Sequence, residues 1–145
     1  MTAIKKLLTI ACLVAAIATP FAAAQPIPVN KAAVPDCANA NTQARLNECA
    51  YEDFLAATAG CAASYKTISD KSGTKQKDQF RRAQKLWIQY RTAACNFESS
   101  GIAGGSAQAM VKWQCDARMT RARTAELDIL ANCKEGDLSC PRFGK

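Results

Sequence analysis

The amino-acid sequence predicts an all-α fold, a small antiparallel bundle of about three helices that disulfide bonds hold together. Three observations support this prediction. Apolar residues recur at steps of three and four along three segments, which is the spacing of amphipathic helices. No segment alternates cleanly between apolar and polar residues, as a half-buried strand would. Of the eight cysteines, all but Cys12 follow a short apolar N-terminal segment, which indicates an exported and oxidised chain.

The first 24 residues have the pattern of a signal peptide. A positively charged start precedes an apolar run over 7–18, and small residues precede a predicted cleavage site between Ala24 and Gln25. A membrane anchor is the weaker interpretation, because the run is shorter than a membrane span. Lipidation at Cys12 is also weaker, because the residues before it match a lipobox poorly. We therefore expect no stable membrane insertion after cleavage.

The rest of the chain is expected to form one domain with a tether and a tail. Residues 25–35 contain three prolines and predict an extended tether. Residues 36–131 carry the predicted helices, and residues 132–145 form an irregular tail with two cysteines. Removing 24 of the 145 residues leaves 121, which is enough for one domain rather than two.

The helices are predicted over 42–68, about 75–97, and from Ser106 onward. A turn containing Gly73 separates the first two, and the glycine-rich segment 99–105 separates the second from the third. The hydroxyl of Ser106 is expected to cap the third helix. The expected buried stripe of the second helix consists of Phe80, Ala83, Trp87, Tyr90 and Ala94. The corresponding side of the third consists of Met110, Trp113, Ala117, Thr120, Thr124, Leu127 and Leu130.

The cysteines of the mature chain leave one thiol unpaired, and the sequence alone does not choose among the possible pairings. The predicted helices favour bridges that pin helix ends or close short loops. The favoured pairs are Cys37 with Cys49, Cys95 with Cys115, and Cys133 with Cys140. Cys61 is then the free thiol, on the apolar stripe of the first helix. Structural zinc is disfavoured because the chain has no histidine and no Cys-x-x-Cys pair, and no cofactor is expected.

The charge of the chain allows two interpretations. Loss of Lys5 and Lys6 with the leader lowers the formal net charge from +7 to +5. The densest group of basic residues consists of Lys75, Lys77, Arg81, Arg82 and Lys85. Such a group is most often a solvated helix face. The alternative is a docking surface for an anionic envelope polymer or lipid headgroups. Nucleic acid is not an expected partner, since the chain has no nucleic-acid-binding motif.

The polar candidates favour a structural role over catalysis. Trp87 and Arg91 lie one helical turn apart, so Trp87 is expected to fill the core while Arg91 reaches a carboxylate. The same role is expected for Arg123, and a ligand site is the alternative for both arginines. The carboxylates of Glu48 and Glu52 have the spacing of an ordinary solvated helix. Without histidine, a nucleophile motif or a metal motif, we expect no enzyme.

Several short motifs together resemble one known family. The segment Gln84–Cys95 reads Gln-Lys-Leu-Trp-Ile-Gln-Tyr-Arg-Thr-Ala-Ala-Cys. Around it stand Cys37, Thr42-Gln43, Leu46-Asn47-Glu48-Cys49, Tyr65, Gly104-Gly105-Ser106, Cys115, Thr120, Arg123 and Leu127. In order and spacing, these motifs are similar to the lysozyme-inhibitor LprI-like family, over about 36–130. The chain departs from the family at Thr58, Cys61 and Ala62, where an acidic residue and a Leu-Asn pair are usual.

The resemblance implies a small helical, cysteine-bridged bacterial domain located in the periplasm or outside the cell. The family takes its name from a member that inhibits lysozyme, so lysozyme or another muramidase is the implied partner. The glycine-rich loop is the expected inserting element, with partner-binding residues Ser99, Ser100, Gly101, Ile102, Gly104 and Gly105. The loop could instead bind an anion through backbone N–H groups at the helix start. The alternative function is an envelope-interaction protein without inhibitory activity.

Overall fold

The computed structural model describes residues 37–134, 136–141 and 143. The predicted signal peptide over 1–24 and its cleavage site, Cys12 and the tether over 25–35 lie outside the described residues. Within the described part, three helices and two short 3-10 turns form the fold, and no residue is in a strand. The all-α, three-helix prediction is confirmed.

The helices are α1 (Gln43–Lys71), α2 (Thr74–Glu98) and α3 (Gln108–Ala131). A 3-10 turn over Cys37–Asn39 precedes α1, and another over Ser100–Ile102 lies between α2 and α3. None of the three helices contains a proline, so each backbone hydrogen-bond ladder is uninterrupted along the segment.

Local signals in the sequence set the ends of α1 and α2. The Oγ1 of Thr42 accepts a hydrogen bond from the backbone N–H of Arg45 at 3.3 Å, which satisfies one donor at the start of α1. Between the helices, Ser72 adopts an extended conformation and ends α1. The backbone N–H of Gly73 then donates to the side chain of Gln76 at 3.2 Å, which fixes the first turn of α2.

Consecutive helices run antiparallel, so α1 and α3 run parallel. Near the start of α1, Asn47 donates to the backbone oxygen of Ser106 at 3.0 Å, just before α3 begins. At the other end, Lys71 donates to the backbone oxygen of Ala131 at 2.6 Å. The contact between α1 and α3 therefore extends over the length of both helices.

The apolar core lies mainly between α1 and α3. Its fully buried members are Cys61, Ile68, Leu127 and Ala131, and Tyr65, Phe80, Leu130 and Phe143 pack against them. The α2 helix contributes one fully buried residue, Cys95. The ring of Phe80, also on α2, stacks on Tyr65 with 4.6 Å between the ring centroids. The second helix is therefore attached through one narrow face.

The predicted buried stripe of α2 is partly wrong. Phe80, Trp87 and Ala94 are half-buried, whereas Ala83 and Tyr90 are exposed, Tyr90 at 65% of its surface. The face that packs on α1 and α3 is rotated by about one residue and includes the polar side chains of Gln84 and Arg91. Because polar residues occupy some of the inner positions, the spacing of apolar residues alone predicted the wrong side of α2 as the buried one.

The structure joins the cysteines in the pairs that the placement of the helices favoured. The sulfur atoms are 2.05 Å apart in Cys37–Cys49 and Cys95–Cys115, and Cys133 is joined to Cys140. Cys61 is a free, buried thiol. Two of the bridges lie at the end of the bundle where α1 and α3 begin, and the third lies beyond the end of α3. In the described part of the chain, no helix is long and apolar enough to cross a membrane.

The core and surface of α3 provide a matched pair of stability tests. Leu127→Ala removes a side chain with no exposed surface and leaves a cavity, so we expect a loss of about 2–5 kcal/mol in the free energy of unfolding. Ile129→Ala changes a neighbouring side chain that is 72% exposed, so its effect should stay within about 0.5 kcal/mol. Chemical denaturation of the oxidised protein measures both, and equal losses would contradict the described core.

Breaking the bridge between α2 and α3 should destabilise the protein more than breaking the bridge in the tail. The Cys95–Cys115 bridge closes a loop of 20 residues, which in the chain-entropy model contributes about 3 kcal/mol. The double change Cys95→Ala and Cys115→Ala should therefore lower the melting temperature clearly. The control change, Cys133→Ala with Cys140→Ala, opens a separation of only 7 residues and should cost less. Peptide mapping that found Cys95 and Cys115 as free thiols in the native protein would refute the pairing.

Candidate functional site

The connection between α2 and α3 forms an exposed cap at one end of the bundle. Its backbone turns are closed by hydrogen bonds from Ile102 N–H to Ser99 O and from Gly105 N–H to Ile102 O, at 3.3 and 3.0 Å. Gly104 has a φ of +78°, a backbone conformation that residues with a side chain rarely adopt. Residues 100–105 are all exposed, and none of them is charged.

Two anchors hold this cap in place. Directly below it, the Cys95–Cys115 bridge ties the end of α2 to α3. At its start, Ser99 is only 1% exposed, and its hydroxyl donates to the backbone oxygen of Cys95 at 2.9 Å. The side chain of Ser99 is therefore an internal anchor in this structure, and the expected contact of the loop with a partner stays a prediction. The exposed members of the expected set are Ser100, Gly101, Ile102, Gly104 and Gly105.

Ser106 does not cap the third helix, in contrast to the prediction. The cap position of α3 belongs to Ala107, and no side chain caps it. Instead, Gln108 reaches back and accepts a hydrogen bond from the Gly104 N–H at 2.8 Å, while the backbone oxygen of Ser106 binds Asn47 of α1. The helix begins later because the loop needs these residues for its own turns.

The anion-site interpretation of the glycines is also contradicted. An anion at this position would need free backbone N–H groups. The N–H of Gly104 donates to the Gln108 side chain, and the N–H of Gly105 donates to the backbone oxygen of Ile102. Both donors are occupied within the loop, so the arrangement forms a rigid turn rather than an anion cradle.

Apart from the cap, a buried group of charged and polar side chains lies inside the bundle, between α2 and α3. The carboxylate of Asp116 is 2% exposed and accepts a hydrogen bond from Lys112 at 2.7 Å. Its other oxygen lies 3.3 Å from the Nε of Arg91, an ion-pair distance without hydrogen-bond alignment. Arg91 also donates to the hydroxyl of Thr120 at 2.9 Å. The expectation that Arg91 reaches a carboxylate agrees with this geometry, and the carboxylate comes from α3.

Aromatic rings enclose the Arg91 guanidinium. Its central carbon lies 4.9 Å from the Phe54 ring and 5.2 Å from the Trp87 ring. The Phe54 ring in turn stacks on Trp113 of α3 at 5.2 Å between centroids. A guanidinium held between aromatic faces is stabilised by cation–π attraction and is shielded from water. The described contacts therefore assign Arg91 and Trp87 to the interior of the fold rather than to a surface ligand site.

Arg123 plays a similar but more peripheral role. Its Nε donates to the side chain of Gln84 on α2 at 3.2 Å, and its Nη1 binds Glu126 at 2.8 Å. The guanidinium lies 5.9 Å from the Trp87 ring. The arginine thus joins α2 to α3 about two turns away from the buried ion pair, since Gln84 and Arg91 are seven residues apart.

The basic group of α2 lies along one side of the helix. At about 100° per residue its five members span an arc of about 160°, and all five are exposed. Arg81 is paired with Asp78 at 2.9 Å, which neutralises part of the charge. Exposure and pairing of this kind are typical of a solvated helix face, and the docking surface for an anionic polymer stays a prediction.

Among the described residues, two titratable groups have shifted pKa values, and both lie outside the cap. The pKa of Arg121 is raised because its guanidinium donates to the carboxylate of Asp53 across α1 and α3. The pKa of Asp137 in the tail is lowered because the hydroxyl and the backbone N–H of Ser139 donate to its carboxylate. Among the described residues, no cluster of three metal-ligating side chains exists.

Sequence reasoning missed two features. Asp116 and Lys112 complete the buried polar group, and their signal was the pair of opposite charges one turn apart on α3. The other feature is a row of exposed apolar residues along the outer side of α2. Its signal in the sequence was a second set of apolar residues at helical spacing in α2. This set includes Leu86 and Phe97, whose surfaces are 64% and 82% exposed.

The fold and the cap together define a class of protein: a small, disulfide-linked three-helix domain that presents a rigid, uncharged loop. The family described as lysozyme inhibitor LprI matches residues 36–127. The chain belongs to this family, whose description is that of an inhibitor rather than an enzyme. The chain is also 32% identical over 114 residues to an uncharacterized protein of Rhizobium meliloti (strain 1021), an alignment that covers 70% of this chain and 82% of the relative. No solved structure matches the chain.

The buried ion pair yields a test that separates interior from surface charges. Asp116→Asn leaves the Arg91 charge buried without its partner, so the free energy of unfolding should fall by about 3–5 kcal/mol. The matched control is Asp53→Asn, which breaks the exposed pair with Arg121 and should cost less than about 1 kcal/mol. Urea denaturation at neutral pH measures both variants. A stable Asp116→Asn protein would show that the pair does not hold α2 in place.

Proposed function

We propose that this protein is an exported inhibitor of lysozyme-type muramidases, acting in the periplasm or outside the cell. The match to the LprI family over 36–127 carries the proposal. Such an inhibitor must meet three requirements: it must stay folded outside the cytoplasm, present a stable binding element, and resist rearrangement on binding. The three disulfide bonds of the domain support the first requirement.

The cap formed by residues 100–105 is the element that we propose enters the substrate cleft. A cleft that binds carbohydrate is narrow, and a loop of small, uncharged residues can enter it with little steric or desolvation cost. Ile102, 41% exposed, offers an apolar side chain for an anchoring contact. The Cys95–Cys115 bridge and the buried Ser99 already order the loop, which lowers the entropy cost of binding.

The net charge of +5 expected for the mature chain affects how fast it associates with a lysozyme. It does not affect which part of the chain is proposed to bind. Host lysozymes are typically basic, so like charges slow the encounter of the two proteins. In the cap itself this repulsion is weak, because residues 100–105 carry no charge and the adjacent Glu98 is paired with Arg118. The proposed mode of binding therefore depends on shape and apolar contact rather than on steering.

Two sets of variants test the proposal in a lysozyme turbidity assay with the oxidised protein. Gly101→Arg adds a bulky charged side chain at a position where a Cβ meets no atom within 4 Å, so the fold should be unaffected. We expect it to weaken inhibition roughly tenfold or more, which corresponds to about 1.4 kcal/mol of binding energy. The control set changes Lys75, Lys77, Arg81 and Arg82 to Gln, which should leave inhibition unchanged or increase the association rate.

The reverse result would favour the alternative function in the envelope. In that case the four basic residues would be required for salt-sensitive binding to anionic wall or lipid preparations, and Gly101→Arg would have no effect. Unchanged inhibition by the Gly101→Arg protein would refute insertion of the loop, and the absence of any inhibition by the native protein would refute the function itself.

A further inference from the structure

The outer side of α2 carries a row of large exposed apolar side chains, which we call the outer row. It consists of Leu86, Tyr90 and Phe97, which are exposed at 64%, 65% and 82% of their surfaces. At about 100° per residue the three point within about 40° of one another, over about 16 Å of the helix. The other side of α2 packs on α1 and α3 through Gln84 and Arg91. The outer row therefore faces away from the rest of the bundle.

Three cations lie beside the outer row on the same side of the helix. Lys75, Arg82 and Lys85 are all exposed and precede the row along the chain. Their directions around the helix axis differ from that of Leu86 by at most about 100°. Among the described residues, none of the three has a carboxylate as a partner. The outer side of α2 is therefore basic along its first half and apolar along its second half.

The acidic residues of α2 do not offset this positive charge. The helix contains two, Asp78 and Glu98, and each already has a cation as its partner. Asp78 is paired with Arg81 at 2.9 Å, and Glu98 is paired with Arg118 of α3 at 2.6 Å. Counterions for the three unpaired cations must therefore come from outside the described part of the chain.

An anionic lipid surface is complementary to both the basic and the apolar part of this side. Anionic headgroups attract lysine and arginine side chains, and large apolar side chains enter the boundary between the headgroups and the acyl chains. Tyrosine is enriched at that boundary because its ring is apolar while its hydroxyl stays hydrated. A second copy of the chain would leave the three cations without counterions, and an anionic wall polymer would leave the outer row in water.

We propose that the outer side of α2 binds reversibly to an anionic lipid surface, with the helix lying in the plane of the headgroups. The outer row provides the apolar contact, and the three unpaired cations provide the electrostatic attraction. Lying flat, a helix of about 37 Å places its basic half and its apolar half on the surface together. The cap over 100–105 contains none of these residues, so the proposal does not depend on the proposed inhibition.

Sedimentation with lipid vesicles tests the proposal on the mature, oxidised protein. We expect binding to vesicles made of equal parts of phosphatidylglycerol and phosphatidylcholine, and much weaker binding to vesicles of phosphatidylcholine alone. Binding should decrease at about 1 M salt, where the Debye length is only about 3 Å. Equal binding to the two kinds of vesicle, or no binding to either, would overturn the proposal.

Two variants of equal net charge test which side of α2 contacts the lipid. Arg82→Gln removes a cation beside the outer row and should weaken binding to the anionic vesicles about fivefold. The matched control is Lys77→Gln, which removes an exposed cation whose direction differs from that of Tyr90 by about 140°. This control should change binding much less, because its side chain faces away from the lipid. Equal losses in the two variants would contradict the proposed orientation.

The apolar contact is tested by Tyr90→Ser and Phe97→Ser. Each change should weaken binding at least roughly fivefold, because it removes apolar surface that enters the lipid boundary. The control Ile129→Ser removes a side chain of similar exposure, 72%, from α3 and should leave binding unchanged. Circular dichroism shows that each variant retains the native helix content. Salt-sensitive binding that neither change weakens would show adhesion by charge alone and would overturn the proposal.

Fluorescence quenching measures the depth of the outer row in the lipid directly. The indole introduced by Leu86→Trp should be quenched by phosphatidylglycerol with brominated acyl chains, because position 86 reaches the acyl boundary. The indole introduced by Ile129→Trp should not be quenched, and the native Trp87 and Trp113 contribute the same background to both proteins. Equal quenching of the two variants, or none in either while the protein is bound, would overturn the proposal.

Discussion

The attachment of α2 depends on a buried ion pair. The helix buries only Cys95 completely, so apolar packing alone gives it little hold on the rest of the domain. Arg91 compensates by reaching Asp116 on α3, with Thr120 as a second acceptor and the Phe54 and Trp87 rings on its faces. The Cys95–Cys115 bridge lies one turn further along the helix and restricts the same contact covalently. Without the ion pair, both partners would keep a desolvated charge, so the geometry of α2 and the charge balance of the interior are fixed together.

This mode of attachment explains what the domain presents to its surroundings. Because α2 uses one narrow face for α1 and α3, the rest of its circumference is available to solvent, and large apolar side chains occupy part of it. The loop after α2 is fixed by the same end of the helix, through Ser99 and the bridge at Cys95. The loop is thus ordered both by these anchors at its start and by the hydrogen bonds that close its own turns. An inhibitor benefits from this arrangement because a preordered loop loses less entropy when it binds.

The sequence was sufficient for the helix count, because the apolar periods are long and no proline interrupts them, and the placement of cysteines near helix ends led to the observed pairs. It was insufficient for the orientation of α2. That helix has two apolar periods, and periodicity cannot tell a packed face from an exposed one when Gln84 and Arg91 occupy the inner positions. The start of α3 was also missed, because Ser106 is a good capping residue but its backbone is used by Asn47, a contact remote in sequence. Ser99 lies in a glycine-rich segment, yet its hydroxyl has an acceptor one turn back and is buried.

The loop and the exposed apolar side chains of α2, Leu86, Tyr90 and Phe97, are adjacent in sequence but are determined by different contacts. The loop begins directly after Glu98, where α2 ends, and is held by the buried Ser99 hydroxyl and the Cys95–Cys115 bridge. The apolar side chains are exposed because α2 turns the polar side chains of Gln84 and Arg91 toward α3. One end of the helix therefore orders the proposed binding element, while the orientation of the same helix decides which of its apolar side chains face water.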